Sequence, residues 1–257
     1  MTTTELEVER RGQVLWVSFN RPDRLNAITA VMRRELLTTF EKLATDTTVR
    51  VVVLRGNGRG FCAGLDITQA QEESHEPADT VHLPDVIQAM RACPQPIISA
   101  VHGPACGGGF AFALASDVRI AEESARMNDA FVKLGVSGAE MGVSYFLPRI
   151  VGLTVASELM LTGRFIDASR ALQVALVSQV TPDDELEVAA AALAEEMLAV
   201  APLALRRTKE VLNKVIEISE LSEALALEDQ AQFECMQSPD FEEGLRAFLE
   251  KRRPRFG

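Results

Sequence analysis

The chain has 257 residues, of which 47% are hydrophobic and 25% charged, and its formal net charge is −11. This composition is typical of a globular protein, and the negative charge argues against nucleic acid or an anionic membrane surface as the main partner. The four cysteines form no CxxC pair and there are only three histidines, so neither a disulfide framework nor a metal site is predicted. No apolar run reaches the roughly 18 residues of a membrane span. We therefore expect a cytoplasmic protein with reduced thiols and no membrane partner.

Strand and helix patterns alternate through the first two thirds of the chain. Apolar residues alternate about a turn at Gly12, which predicts an antiparallel hairpin over residues 6–19, and helical spacing follows over residues 29–43. This alternation predicts an α/β fold, in which ligands collect at the carboxyl ends of strands. The remaining predictions are buried strands at 49–54, 97–101, 118–121 and 176–180, helices at 81–92, 110–116, 143–150, 155–161 and 168–174, an acidic loop at 72–79 and an irregular segment at 125–142.

Beyond Pro182 the pattern is helical throughout. Leu186, Ala190, Leu193 and Met197 fall on one helical stripe. Three further helices are predicted, one opening at Pro202, one over residues 221–233 and one over residues 241–249. We expect this last third to pack on a neighbouring molecule as well as on the core.

Two glycine-rich turns follow predicted buried strands. The first covers residues 55–66 and the second covers residues 103–109, which end in three consecutive glycines. Glycine lets a ligand approach the backbone closely, and the helix after the second turn presents unpaired amides to an anionic oxygen. Together the turns could give two backbone amides to one carbonyl oxygen, as an enzyme that stabilises an enolate or a tetrahedral oxyanion requires. The cysteines within them, Cys62 and Cys106, are interpreted as packing residues.

Neither turn has the residues of a nucleotide-binding motif. Gly109 and Phe110 stand where a P-loop has Lys followed by Ser or Thr. The first turn is one residue short of the dinucleotide fingerprint and opens no convincing helix. The few histidines also leave a serine triad poorly supplied.

Several motifs follow one another in a fixed order along the chain: residues 51–56 and 61–66, residues 96–117 with their Gly-Gly-Gly helix, Leu134-Gly135, Leu161-Thr162-Gly163 and residues 248–256. In this order the chain resembles the crotonase (enoyl-CoA hydratase/isomerase) superfamily over nearly its whole length. The resemblance implies a ββα spiral core over residues 1–197, a helical trimerisation region over residues 198–257, and a homotrimer or a dimer of trimers. It also implies an acyl-CoA thioester as substrate, held in an oxyanion hole by the amides of Leu65 and Gly108.

The resemblance further implies where coenzyme A would lie. Coenzyme A would be part of the substrate, and no separate cofactor is expected. Independently, four of the last seven residues are basic in an otherwise acidic chain, which suits a phosphate-rich ligand or else a solvated tail. The residues implied are Arg24, Leu25 and Ala27 beside the nucleotide, Ala63, Asp66 and Ile67 nearby, and Phe248 and Lys251 from an adjacent subunit; Asp66 could also cap the helix that follows it.

The departures from the family pattern concern the catalytic acids. Typical hydratases of the family carry one glutamate three residues after the middle glycine and a second one in the segment before Leu-Gly. Here these positions are Ala111 and Phe131. A hydration mechanism that uses two carboxylates therefore cannot be carried over.

Glu140 is the remaining acidic candidate. It lies a few residues later, where some isomerases and hydrolases of the superfamily place their acid/base group, and we expect its neighbours Ala139 and Met141 to desolvate it. Asp129 would point the other way from an extended segment and ranks below it. Asp117 and His102 are interpreted as structural hydrogen-bonding residues.

Two classes of function remain open at this stage. The first is a hydratase or isomerase in which Glu140 moves the proton, with proton transfer between carbons best supported by a single base, and with hydration or hydrolysis of a carbon-carbon bond as further possibilities. The second is a binding protein that has kept the acyl-CoA pocket and lost catalysis.

Overall fold

The main sheet has six strands and begins with the predicted hairpin. The computed structural model describes residues 4–70 and 81–256, so the acidic loop predicted at 72–79 lies outside the described residues. Within the described part, the strand order is β1-β2-β3-β4-β6-β9, with β1 and β2 antiparallel and all later pairings parallel. The strands of this sheet are β1 (Leu6–Arg11), β2 (Val14–Phe19), β3 (Val51–Gly56), β4 (Ile97–Val101), β6 (Val118–Glu122) and β9 (Gln179–Thr181).

Eleven helices are found within the described residues. Their bounds agree with the predicted helices to within a few residues. The exception is the short helix after Asp66, for which the sequence predicted a capping residue but no bounds. They are α1 (Ala30–Leu43), α2 (Ile67–Ala70), α3 (Leu83–Ala92), α4 (Gly108–Ala115), α5 (Val143–Val151), α6 (Leu153–Thr162), α7 (Ala168–Gln173), α8 (Leu186–Leu198), α9 (Pro202–Val215), α10 (Leu221–Met236) and α11 (Pro239–Leu249).

The central strands are buried on both faces, as their continuous apolar sequence predicts. Val52 and Leu54 of β3 enter one hydrophobic cluster, with α1, α3 and α4. Val51 and Val53 enter the other, which the apolar stripe of α8 covers. The sheet therefore lies between two layers of helices, and the turns that follow β3 and β4 emerge at the same edge.

A second, three-stranded sheet was not predicted. It consists of β5 (Pro104–Cys106), β7 (Arg126–Asn128) and β8 (Ile166–Asp167), in the order β5-β7-β8. The prediction of an irregular segment at 125–142 is therefore wrong for its first residues. These strands are two or three residues long and one contains proline, so they carry no periodic pattern. Cys106 of β5 pairs with Asn128 of β7, and this pairing fixes the position of the backbone directly before the three glycines.

The carboxyl-terminal helices are joined to the core through Asp117. Its carboxylate accepts a hydrogen bond from the amide of Ile97 (2.8 Å) and forms ion pairs with Arg91 (3.1 Å) and Lys209 of α9 (2.8 Å). Asp117 therefore has the structural role predicted for it. His102 likewise contacts the carbonyl oxygen of Gly58, at 2.9 Å.

Among the described helices, no single one is long and apolar enough to cross a membrane. The pair α8 and α9 passes the test of length and composition only when taken together, and the two helices are bent by 106°.

Candidate functional site

Two glycine-rich turns touch each other at the edge of the main sheet. Gly64 has a φ of +92°, and a Cβ built there would lie 2.7 Å from the carbonyl oxygen of Cys106 and 3.4 Å from the amide nitrogen of Gly108. Only glycine fits this conformation and this close approach. The contact places Leu65, the next residue, beside the first residue of α4.

The amides of Leu65 and Gly108 are unused within the part of the chain that is described. Leu65 pairs with Ile28 as an isolated parallel bridge, in which Ile28 donates to the carbonyl of Gly64 (2.8 Å) and Asp66 donates to the carbonyl of Ile28 (3.0 Å). Neither of these bonds uses the amide of Leu65. Gly108 begins α4, where the first amides have no partner inside the helix. Two backbone donors, one of them at the positive end of a helix dipole, are thus available to an anionic oxygen.

Main-chain hydrogen bonds fix the two turns relative to each other and to the second sheet. Cys106 donates its amide to the carbonyl of Cys62 (2.9 Å), and Gly107 donates to the carbonyl of Asn128 (3.0 Å). Burial raises the pKa of the Cys62 thiol to about 12 and that of Cys106 to about 11. Both thiols are therefore neutral near pH 7, which agrees with their interpretation as packing residues.

Gly109 is the glycine on which the packing of these turns most depends. A Cβ there would lie 2.1 Å from the carbonyl oxygen of Cys62 and 2.8 Å from its carbon. We expect Gly109→Ala to lower the free energy of unfolding by about 3 kcal/mol or more, because backbone atoms must move. Chemical denaturation would measure it. The matched control is Gly244→Ala in α11, where the nearest atom to a Cβ is 3.7 Å away; a loss of stability no larger than in this control would contradict the expectation.

Apolar side chains occupy the two positions at which the resemblance led us to expect the glutamates of a typical hydratase. Ala111 lies one turn after Gly108 in α4 and is fully buried. The ring of Phe131 lies 3.6 Å from the position of a Cβ at Gly107. The wall next to the two free amides is therefore apolar at both positions.

Glu140 lies on the loop that closes the other side of this region. The next residue, Met141, has a φ of +50° and is buried, and its sulfur lies 3.3 Å from the position of a Cβ at Gly108. Glu140 itself is exposed, so the desolvation expected from its neighbours is absent in the single chain. Met141 could not be identified from the sequence as the residue that brings this loop to Gly108, because a positive φ at methionine has no sequence signal.

Asp129 is the buried acid near this loop. Its side chain is fully buried, and neither carboxylate oxygen has a hydrogen-bond partner among the described residues. One oxygen lies 2.7 Å from the position of a Cβ at Gly138, on the loop that carries Glu140. Burial raises the pKa of Asp129 to about 6, an effect that the amide of Phe131 partly offsets.

The loop after the hairpin, where the resemblance implies the nucleotide would lie, packs against the first turn. Ala63 donates its amide to the carbonyl of Leu25 (2.9 Å), and Ala27 donates to the carbonyl of Arg24 (3.1 Å). Six of the predicted coenzyme A residues are brought together in this way: Arg24, Leu25, Ala27, Ala63, Asp66 and Ile67. Phe248 and Lys251 are exposed at the end of the chain, and no hydrogen bond among the described residues joins them to this loop.

Arg21 and Asn26 organise this loop, although no role was predicted for either of them. The buried amide group of Asn26 donates to the carbonyls of Asn57, Gly60 and Phe61 and accepts from the amide of Arg21. Arg21 forms an ion pair with Asp66 (2.9 Å), and hydrogen bonds from Thr68 and Arg21 lower the pKa of that carboxyl. The carboxylate of Asp66 is therefore held in place before any ligand binds. An asparagine within a polar loop was the available signal, since asparagine tolerates the positive φ found here.

Comparison with known proteins agrees with this fold. The family model described as enoyl-CoA hydratase/isomerase matches residues 9–257, and the chain belongs to this family. Relatives include a probable enoyl-CoA hydratase, EchA12, of Mycobacterium tuberculosis strain H37Rv, 36% identical over 96% of this chain and 90% of its own length. The 2,3-dehydroadipyl-CoA hydratase of Escherichia coli is 36% identical over 98% of both chains. The crystal structure of an enoyl-CoA hydratase from Bacillus anthracis superposes with a TM-score of 0.91, at 33% identity over 98% of both chains.

Proposed function

We propose that the protein is an enzyme that acts on an acyl-CoA thioester, and that the amides of Leu65 and Gly108 bind the thioester oxygen. The observation that supports this most directly is the pair of unused amides on two turns in contact. Charge that develops on the oxygen as an enolate forms would be stabilised by donors that need no reorganisation. Removing one such donor typically lowers the rate about a hundredfold or more.

Glu140 would be the group that moves the proton. Its carboxylate takes a proton from the α carbon of a 3-enoyl-CoA, and the electron pair left behind delocalises into the thioester as a dienolate. The protonated Glu140 then returns the same proton to the γ carbon, which gives a 2-enoyl-CoA. One base suffices, because the proton that leaves is the proton that returns. The exposure of Glu140 in the free chain suits a group that only the bound substrate covers.

Hydration of a 2-enoyl-CoA is the second candidate, and the names of the relatives favour it. Addition of water would need Glu140 to act on a water molecule without a second carboxylate. The apolar side chains of Ala111 and Phe131 argue against hydration, because neither of them can orient the water molecule. Isomerisation is therefore the reaction that we propose.

A pair of substrates distinguishes these reactions. The full chain is incubated with 2-enoyl-CoA and 3-enoyl-CoA thioesters of several chain lengths, and products are separated by chromatography. Formation of 2-enoyl-CoA from 3-enoyl-CoA supports isomerisation, whereas 3-hydroxyacyl-CoA supports hydration. Tight binding of every thioester without turnover would show a binding protein and contradict the enzymatic proposal.

The proposed assembly follows from the carboxyl-terminal region. Residues 198–257 would form the oligomerisation region of a homotrimer or a dimer of trimers, since large hydrophobic side chains such as Leu212, Phe233 and Phe248 are exposed there. Phe248 and Lys251 would then complete the coenzyme A site of an adjacent subunit.

Arg24 offers a test of the coenzyme A site. It is exposed at the end of a short 3-10 helix (Pro22–Arg24), beside the carbonyl of Leu25 that anchors Ala63. We expect Arg24→Gln to weaken binding of a CoA thioester about threefold to tenfold, with kcat nearly unchanged, because one exposed phosphate contact is lost. Calorimetric titration would measure the affinity, with Arg34→Gln on the exposed face of α1 as the matched control. Equal affinity in the two variants would place the nucleotide elsewhere.

A further inference from the structure

Two adjoining cavities at the opposite edge of the sheet carry an excess of positive charge. The larger has a volume of about 570 Å³ and lies between the end of α3 and helix α9; five cationic side chains line it, against one carboxylate. The smaller has a volume of about 270 Å³ and lies where the segment before β3 meets the start of α9. Arg206 lines both. Such a concentration of cations is unexpected in a chain whose net charge is −11.

Ion pairs neutralise only part of this charge. In the larger cavity, Asp117 is shared by Arg91 and Lys209. Glu210 is likewise shared by Arg207 and Lys214, although Arg207 is also paired with Glu234. Arg206 forms no ion pair and no hydrogen bond with any residue between 4 and 70 or between 81 and 256. A cation without a counterion, at the junction of two cavities, is available to an anionic ligand.

Arg50 adds a second observation in the smaller cavity. The exposed fraction of this residue is only 9%. One terminal nitrogen of its guanidinium donates to the carbonyl of Val200, but Nε has no hydrogen-bond partner among the described residues. Burial lowers the pKa of the guanidinium, and the nearby carboxylate of Asp240 acts in the opposite direction. A buried guanidinium that is only partly hydrogen-bonded is costly unless a further acceptor is supplied.

The start of α9 provides backbone donors at the same place. Ala201 caps the helix without a side-chain hydrogen bond, and Pro202 lines the smaller cavity. The first bond of the helix runs from Leu205 to the carbonyl of Ala201, so the amides of Leu203 and Ala204 have no acceptor in the helix. Phosphate oxygens are the usual ligands of such amides when cations stand beside them.

We propose that these two cavities bind a small phosphate-bearing anion with two charged groups, one at Arg206, Arg50 and the start of α9, and the other at Lys214, whose exposed side chain lines the larger cavity. The Arg50 end of this site lies apart from the proposed acyl-CoA site. Arg50 precedes β3, whereas the turn with Leu65 follows the other end of that strand. Six residues of strand separate the two edges by about 20 Å.

Calorimetric titration of the full chain with sodium pyrophosphate, against sodium chloride at matched ionic strength, tests the proposal. We expect saturable binding that weakens at least tenfold in Arg206→Gln and severalfold in Lys214→Gln, and that is unchanged in Arg34→Gln. Both test residues lie at the surface of α9, so the variants are expected to fold, and circular dichroism would check this.

Four results would overturn the proposal. Binding that does not saturate would indicate an adventitious ion only. Binding that survives Arg206→Gln but is lost in Arg24→Gln would place the pyrophosphate in the acyl-CoA site instead. Citrate bound as tightly as pyrophosphate, with the same dependence on Arg206, would contradict the assignment to a phosphate. A changed sedimentation coefficient in Arg206→Gln without any anion binding would show that another copy of the chain fills the cavity.

Discussion

Replacing Glu140 by glutamine is expected to lower kcat for the enoyl-CoA substrate by about a hundredfold to ten-thousandfold, which is the usual contribution of a general acid or base. Glutamine has nearly the same size but cannot accept and return the proton. Because Glu140 is exposed and forms no side-chain hydrogen bond with the described residues, the variant is expected to keep its stability. Its affinity for a CoA thioester should also change little, since the two amides and the nucleotide loop are untouched. Single-turnover kinetics would measure the chemical step, and calorimetry the affinity.

Glu123→Gln is the matched control for this variant. Glu123 is an exposed carboxylate that follows β6 and has no part in the proposed site. Its replacement removes the same charge and should leave kcat unchanged. Turnover by Glu140→Gln at the rate of this control would exclude Glu140 as the acid/base group.

The second large effect is expected from Asp129, and it concerns the pH dependence of the free energy of unfolding rather than the rate of the reaction. In the folded chain burial raises its pKa to about 6, from 3.8 for the ordinary side chain. Below pH 3.8 the carboxyl is protonated in both the folded and the unfolded state and costs nothing. Between pH 3.8 and 6 the unfolded chain ionises more readily, so the folded state loses stability as the pH rises. Above pH 6 the loss is complete, at about 3 kcal/mol.

Asp129→Asn removes this dependence on pH. We expect the stability of the variant relative to the natural chain to improve by about 3 kcal/mol between pH 3.5 and pH 7.5. Any constant cost of burying the amide cancels in that comparison, because it does not change with pH. Urea denaturation of both proteins at the two pH values would measure the difference. Parallel pH profiles for the two proteins would mean that Asp129 is ionised in the folded state at little cost.

The sequence was sufficient to predict the parts of the fold that have long, regular patterns. The central strands are continuous apolar runs, the last third has helical spacing, and the glycine runs mark the turns between them. The second sheet could not be predicted, because β5, β7 and β8 are too short for a period and are defined only by their pairing. That sheet nevertheless positions Gly107, through its bond to Asn128.

The candidate site could likewise be predicted only in part from the sequence. The two amide donors could be proposed because a run of glycines before a helix has a direct physical meaning. The burial of Asp129 and the exposure of Glu140 could not, since both depend on how the loop at Gly138 folds back on the strand before it. Similarly, nothing in the sequence near Arg50 or Arg206 indicates that the two residues, 156 positions apart, line one cavity.

The two donors proposed for the oxyanion hole are main-chain groups, so no substitution that preserves the backbone can remove them. The residue proposed to carry the proton, by contrast, is a single side chain on a loop bounded by Gly135 and Gly142. The half of the site that tolerates change is thus physically separate from the half that does not. On this proposal, a change of reaction would require only that a carboxylate be relocated, while the two main-chain donors stay in place.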